Sequence, residues 1–222
     1  MVSIKNALTA ACFMTASCAT VQVANAQSAT DWSGWYVGGQ VTGLRGDDDW
    51  TFGNGASTSN APSGGSAGVH VGYNWTSNGW VYGAELEYNT SNADAAASCP
   101  NTNFSCSTEI KSFAAVKAKI GKPITNGLLY GFVGGTVADV GHTTTSIATG
   151  AQSGSSKQTH AGWIAGLGYE AMIGATGWSW RGEYAYSVLE AETLPAGIIG
   201  GISTTDFNLS YQTLSLGVSR RF

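Results

Sequence analysis

A chain of 222 residues is long enough for one domain of ordinary size. Its formal net charge of −4 leaves no basic footprint for nucleic acid. Only 11% of its residues are charged, against about 25% in soluble globular domains, and it carries 31 Gly, 8 Trp and 9 Tyr. That composition suits a β-protein that is neither a polar soluble domain nor a helical membrane protein.

The first element is a leader. Lys5 is the only charge before a mostly apolar run from Ala7 to Ala19, and Ala24-Asn25-Ala26 then offers small residues for cleavage. This is the pattern of a secretory signal peptide over residues 1–26, with residues 27–222 as the exported domain. The apolar run is shorter than the roughly 20 residues that a spanning helix needs. Lipoprotein processing at Cys18 is a weaker alternative, because Thr15 stands where a lipobox has Leu. Losing Lys5 takes the charge from −4 to −5. No later stretch reaches the length of a transmembrane helix, so a membrane-inserted form must be a closed barrel, the one sheet that leaves no backbone group unpaired in lipid.

Eight segments then alternate with the period of two expected of strands: Trp35–Leu44, Ala67–Trp75, Trp80–Asn89, Thr108–Gly121, Leu128–Val140, Thr159–Glu170, Trp178–Ser187 and Tyr211–Phe222. In the third, Trp80, Tyr82, Ala84, Leu86 and Tyr88 share one face, opposite Val81, Gly83, Glu85, Glu87 and Asn89. The seventh sets Trp178, Trp180, Gly182, Tyr184 and Tyr186 against Ser179, Arg181, Glu183, Ala185 and Ser187. The fourth is harder to phase, because Lys111, Lys117 and Lys119 share a face with Phe113.

The connections alternate as well. Residues 76–79, 122–127 and 171–177 are tight turns; residues 45–66, 90–107, 141–158 and 188–210 are long, polar and rich in Gly, Ser, Thr and Asn. The pattern predicts an all-β, eight-stranded, antiparallel up-and-down transmembrane β-barrel with four long extracellular loops and short periplasmic turns. A β-sandwich has no reason to sort its connections this way.

The faces divide by chemistry. Val69, Val71, Leu86, Val116, Ile120, Leu167, Leu214, Leu216 and Val218 are candidates to face lipid. Trp35, Trp75, Trp80, Tyr130, Tyr169 and Trp178 are placed in an aromatic girdle at the periplasmic interface; Tyr88, Trp163, Tyr186 and Tyr211 are placed in the outer one. Glu85, Glu87, Lys117, Lys119, Glu170, Arg181, Glu183 and Arg221 are expected to pair in a packed lumen. Turned toward mid-bilayer lipid, a Lys or Arg would cost roughly 2–4 kcal/mol. Glycines on the inner face, Gly72, Gly166 and Gly168 among them, leave room for long side chains.

Trp32-Ser33-Gly34-Trp35-Tyr36-Val37-Gly38-Gly39 resembles the opening of the alphaproteobacterial outer-membrane protein family, a branch of the OmpA/OmpX-like barrels often labelled porins. Leu128–Gly135 is similar to that family's central strand and Trp178–Tyr184 to its penultimate one. Phe222, with Val218, Leu216 and Leu214 behind it on one face, resembles the terminal assembly signal of such barrels; Arg220 departs from it, standing where Tyr is usual. The resemblance implies residence in the cell outer membrane, and as partners the barrel assembly machinery, outer-membrane lipid and lipopolysaccharide.

Candidate chemistry is sparse. Cys99 and Cys106, close together in the second long connection, read as a disulfide in an oxidising compartment, since residues 90–110 hold no His to complete a thiol metal site. His70, His142 and His160 carry no nucleophile–base signature, so no enzyme is expected. Asp47, Asp48 and Asp49 do not match an EF-hand loop and read as solvated loop charge; bridging to lipopolysaccharide through cations is the other reading, with Lys111 and Lys157 near lipid phosphates. No cofactor is expected. A structural or surface role in membrane integrity leads; a small porin-like channel is the alternative, and a lipid-modifying enzyme the third. Any host or surface ligand is unspecified.

Overall fold

The computed structural model describes residues 32–198 and 204–222, so the leader read at residues 1–26 lies outside the described residues. The described elements are strands: β1 (Gly34–Phe52), β2 (Ser57–Asn60), β3 (Ser63–Ser77), β4 (Trp80–Ser98), β5 (Phe104–Ile124), β6 (Gly127–Ser146), β7 (Gln152–Met172), β8 (Trp178–Leu189), β9 (Glu192–Leu194) and β10 (Thr205–Arg221). Each long strand pairs antiparallel with the next, and β1 pairs with β10 to close the ring.

These ten strands are eight barrel staves. β2 and β3 meet β1 in one continuous register, Asp48 opposite Asn60 and Arg45 opposite Ser63. The break between them is Ala61-Pro62, where proline has no N–H for the ladder. β9 continues β8 along β10 after a one-residue slip, with Val188 opposite Ser210 but Leu194 opposite Thr205.

The stagger follows from the registers. From Tyr36 the cross-strand partners run Gly72, Glu85, Lys117, Gly134, Ile164, Ser187, Tyr211 and back to Gly46, ten residues along β1 from the start. Eight strands with that stagger tilt by roughly 40° and enclose a space that side chains can fill.

The turn between β3 and β4 is Asn78-Gly79 with φ of 51° and 74°, the left-handed pair that two-residue hairpins require. The connections at the other end are longer, as read, but much of their length is strand. β1 runs to Phe52, β4 to Ser98 and β6 to Ser146. Periodicity misses these extensions because their outward residues face water: Asp47, Asp49 and Thr51 alternate with buried Asp48 and Trp50. A bulge between Ile110 and Ser112 settles the phase of β5. It turns Lys111 outward while Ile110, Phe113, Lys117 and Lys119 stay inside.

The inner-face glycines are sockets. Tyr36 lies over Gly72, Phe132 over Gly166 and Tyr130 over Gly168, each its cross-strand partner. A Cβ on Gly168 would stand 2.4 Å from the Tyr130 ring.

Candidate functional site

The lumen is the only place where the chain gathers buried charge of both signs among the described residues. Alternation in β4, β5 and β8 turns Glu85, Glu87, Lys117, Lys119, Arg181 and Glu183 inward at one level. Arg181 Nη1 lies 2.5 Å from Glu85 Oε2 and 3.3 Å from Glu183 Oε1. Lys119 Nζ is 3.0 Å from Glu85. Lys117 Nζ reaches Glu87 at 2.7 Å, Glu183 at 2.8 Å and Glu85 at 3.4 Å. Nearer the short turns, Arg221 pairs with Glu170 at 3.1 Å. The eight charges placed in the lumen from sequence are thus four acids and four bases, six in one cluster and Glu170 with Arg221 in a separate pair.

Oxygen atoms of Glu85, Glu87 and Glu183 lie within 4.8 Å of one another, a spacing that also suits a metal. The Lys117 ammonium already contacts all three carboxylates. A divalent cation would have to displace it, so the chemistry of this cluster is charge neutralisation between side chains.

Neutral partners complete the network, and periodicity gave no signal for them. Tyr36 Oη donates to Glu85 at 2.7 Å, and Tyr130 Oη donates to Glu183 at 2.6 Å. Arg181 Nη2 donates to Gln40 Oε1 at 2.6 Å, and Gln40 Nε2 donates to Glu87 at 3.2 Å. Lys117 sits 4.5 Å from the Phe132 ring centre, and Lys119 sits 4.6 Å from that of Tyr36. Partnered in this way, with Arg181 Nε left without a hydrogen bond among the described residues, buried ions hold the staves together across the lumen; stripped of one partner they become costly.

Buried apolar clusters flank the charges. Toward the short turns, Trp32, Val81, Leu128, Tyr130 and Phe132 form one cluster. Beyond the charges, Leu44, Ile110, Phe113, Val140, Leu189 and Tyr211 form a second. Trp50, Leu194, Phe207 and the Cys99–Cys106 disulfide make the last. Between these outer layers Asp48 Oδ2 accepts from Trp50 Nε1 at 2.7 Å and Thr108 Oγ1 at 2.6 Å, and stands 3.2 Å from His142 Nε2. His142 is therefore an interior group on β6, not a loop residue.

The disulfide closes a hairpin tip, with Cα atoms 5.2 Å apart and seven residues of separation. Replacing both cysteines by serine is expected to destabilise the fold by about 2 kcal/mol, from the entropy of so short a loop. The readout is a lower urea midpoint with an unchanged slope.

Two histidine contacts could be taken for catalytic pairs. His70 Nε2 and Ser219 Oγ share a 2.8 Å hydrogen bond, but His70 Nδ1 has no partner and both residues are buried. Thr108 donates to Asp48 instead of to a histidine. Neither contact aligns nucleophile, base and orienting acid as acyl-transfer chemistry requires.

Outside, Trp35, Trp75, Trp80, Tyr88, Trp163, Trp178 and Tyr186 are exposed. Tyr169 is half-buried and donates to the Asn126 carbonyl. Tyr130 and Tyr211 are corrections: 3% and 1% exposed, they face the lumen. The consecutive apolar pair Leu128-Leu129 hides the phase of β6, and the Gly168 socket takes the Tyr130 ring inward. Leu214, Leu216, Val218 and Phe222 lie exposed along β10 and its end. Arg220 is also outward, over the Trp178 ring and donating to the Thr176 carbonyl.

A family model described as outer membrane protein beta-barrel domain matches residues 9–222. No curated protein matches the chain significantly. The outer membrane protease OmpT from Escherichia coli is similar in fold, with a TM-score of 0.52 and 7% identity over 88% of this chain and 99% of that one. Neisserial surface protein A aligns with a TM-score of 0.41 and 14% identity, covering 86% of this chain and 98% of that one. Ail, the attachment invasion locus protein of Yersinia pestis, gives 0.40 and 16%, covering 85% and 99%. At these identities the likeness is one of fold alone.

Proposed function

The chain belongs to the outer membrane protein beta-barrel domain family, and from that premise we propose that it is a sealed, non-enzymatic barrel that supports the outer membrane and presents its long hairpins at the cell surface. The observation that carries this reading is the filled lumen: a neutral ion network flanked by clusters of buried apolar side chains. The outward belt supports insertion. Along β1 it runs from Trp35 to Gly43, and nine tilted residues rise about 20–25 Å, close to the height of an outer-membrane apolar band.

In this reading residues 1–26 are the export signal and the short turns face the periplasm. Leu214, Leu216, Val218 and Phe222 are the segment read by the assembly machinery. The opening motif around Trp32–Gly39 supports an alphaproteobacterial, OmpA/OmpX-like branch. The name porin would then mark kinship, not conductance.

Bilayer conductance of the refolded chain, with folding checked by heat-dependent gel mobility, tests the proposal. Folded protein without ion-conducting steps is the expected result. Reproducible, size-limited steps from folded protein would replace the sealed barrel with a small channel. An altered lipid A acylation pattern on expression would restore the enzyme reading.

A further inference from the structure

At the end of the barrel away from the short turns, the ring of staves is forked. The β7–β8 ladder stops at Gly162 opposite Leu189, where Glu190 N donates to the Ala161 carbonyl at 2.7 Å. Beyond that point β9 follows β10, and β7 follows β6 as far as Gln152 opposite Thr145. Among the described residues, no strand pairs with the other edge of the β7 arm over residues 152–160. The outward residues of this arm, Thr159 and Lys157, are polar, which puts it beyond the apolar belt.

His160 stands at the crotch of the fork. It is 4% exposed, and its Nε2 has no hydrogen-bond partner among the described residues. Its ring meets that of His142 edge-on, with centres 6.0 Å apart. His142 is wedged in place, stacked on Phe207 at 4.0 Å and 3.2 Å from Asp48 Oδ2. That oxygen is already taken by Trp50 and Thr108. The other ionisable groups near His160 are Glu190, which is exposed, and Glu192, which is half-buried. Glu109 of β5, Asp139 of β6, Lys157 of β7 and Asp206 of β10 point outward. Burial, and then the His142 ring, hold the His160 imidazole below its ordinary pKa against the pull of Glu192, the Glu190 carbonyl and Asp48.

We propose that His160 is an acid-released latch: a proton on its Nε2 turns the ring out of the cap, and the unpaired arm of β7 moves away from β9 while the membrane belt stays closed. In the closed form the added proton would be a buried charge with no acceptor, beside a second imidazole. Turned outward, the ring gains water and the carboxylates of Glu190 and Glu192. The sign follows from linkage. A histidine whose pKa is depressed in the closed form takes up its proton on release, so closure is complete above about pH 6.5 and weakens as pH falls below that value. The exported surface then changes shape with the acidity of its surroundings, a consequence that rests on the long hairpins facing outward; the latch itself does not.

The experiment is a spin-label distance measurement on the folded chain in detergent, with the Cys99–Cys106 disulfide left oxidised. Labels on Ser155→Cys and Thr193→Cys span the fork, and labels on Val69→Cys and Leu167→Cys span the belt. Between about pH 7.5 and about pH 5, on either side of the ordinary histidine value, the fork distance is expected to lengthen and broaden reversibly while the belt distance stays fixed. His160→Phe, a ring that takes no proton, is expected to abolish the shift. His160→Gln should do the same, and it keeps the test alive if the phenylalanine variant fails to fold. A fork distance indifferent to pH would overturn the proposal, as would a belt distance that changes with it. A shift kept in His160→Gln and lost in His142→Gln would move the latch to His142 and overturn the assignment.

Discussion

Replacing Arg181 with methionine is expected to destabilise the barrel by about 3–5 kcal/mol, the usual result of stripping one partner from a buried ion cluster. Arg181 is 2% exposed and bridges Glu85, Glu183 and Gln40, which come from β4, β8 and β1. Without it, Glu85, Glu87 and Glu183 face only Lys117 and Lys119, leaving one uncompensated negative charge in a medium that screens poorly. Urea unfolding in lipid vesicles would show the loss as a lower midpoint. The companion variant Arg181→Met/Glu85→Gln restores neutrality and should recover part of the stability. A double variant no more stable than Arg181→Met alone would mean that packing of the guanidinium, and not charge balance, is what the site requires.

Filling a socket is expected to cost about 3 kcal/mol or more, at the upper end of what overpacking produces in well-packed interiors. Gly168→Val places branched atoms where the Tyr130 ring lies; even a Cβ there would be 2.4 Å from that ring. Displacing Tyr130 also removes its 2.6 Å hydrogen bond to Glu183, so a buried carboxylate loses a donor. The expected readout is loss of the heat-modifiable folded band, or a midpoint shift as large as that of Arg181→Met. A variant on the lipid-facing side, Gly43→Val, meets nothing within 4 Å and should fold normally. Equal behaviour of the two variants would contradict the socket account. Restored folding of Gly168→Val by Tyr130→Ala would support it directly.

How much of this was legible beforehand differs by region. Within the membrane belt, both faces of a stave write themselves into the chain. Leu86 must meet lipid, and Glu85 and Glu87 must not, so the inner acids and the outer apolar residues separated cleanly. Beyond the belt the outward face turns polar, and the contrast that marks a strand disappears. Hence β1 was read to Leu44 although it runs to Phe52, and the buried cluster of Asp48, Trp50, Thr108 and His142 was not anticipated. A weak signal was present there: Trp50 is a large aromatic in a polar stretch at the right parity from Asp48.

Tyr130 and Tyr211 failed for another reason. An aromatic near a strand end suits either an interfacial girdle or a lumen socket, and parity in Leu128-Leu129-Tyr130 is ambiguous when adjacent residues are all apolar. The tie was broken by Gly168, which is 38 residues away and becomes a neighbour only when β6 and β7 pair.

The sequence by itself determined a β-barrel of eight staves, the sorting of its connections and the sign of each face, because period-two burial and the cost of a charge in lipid act residue by residue. The tertiary structure decided which charges pair and which rings enter which glycine sockets. Those relations depend on register and on the ten-residue stagger at closure, quantities defined only between strands.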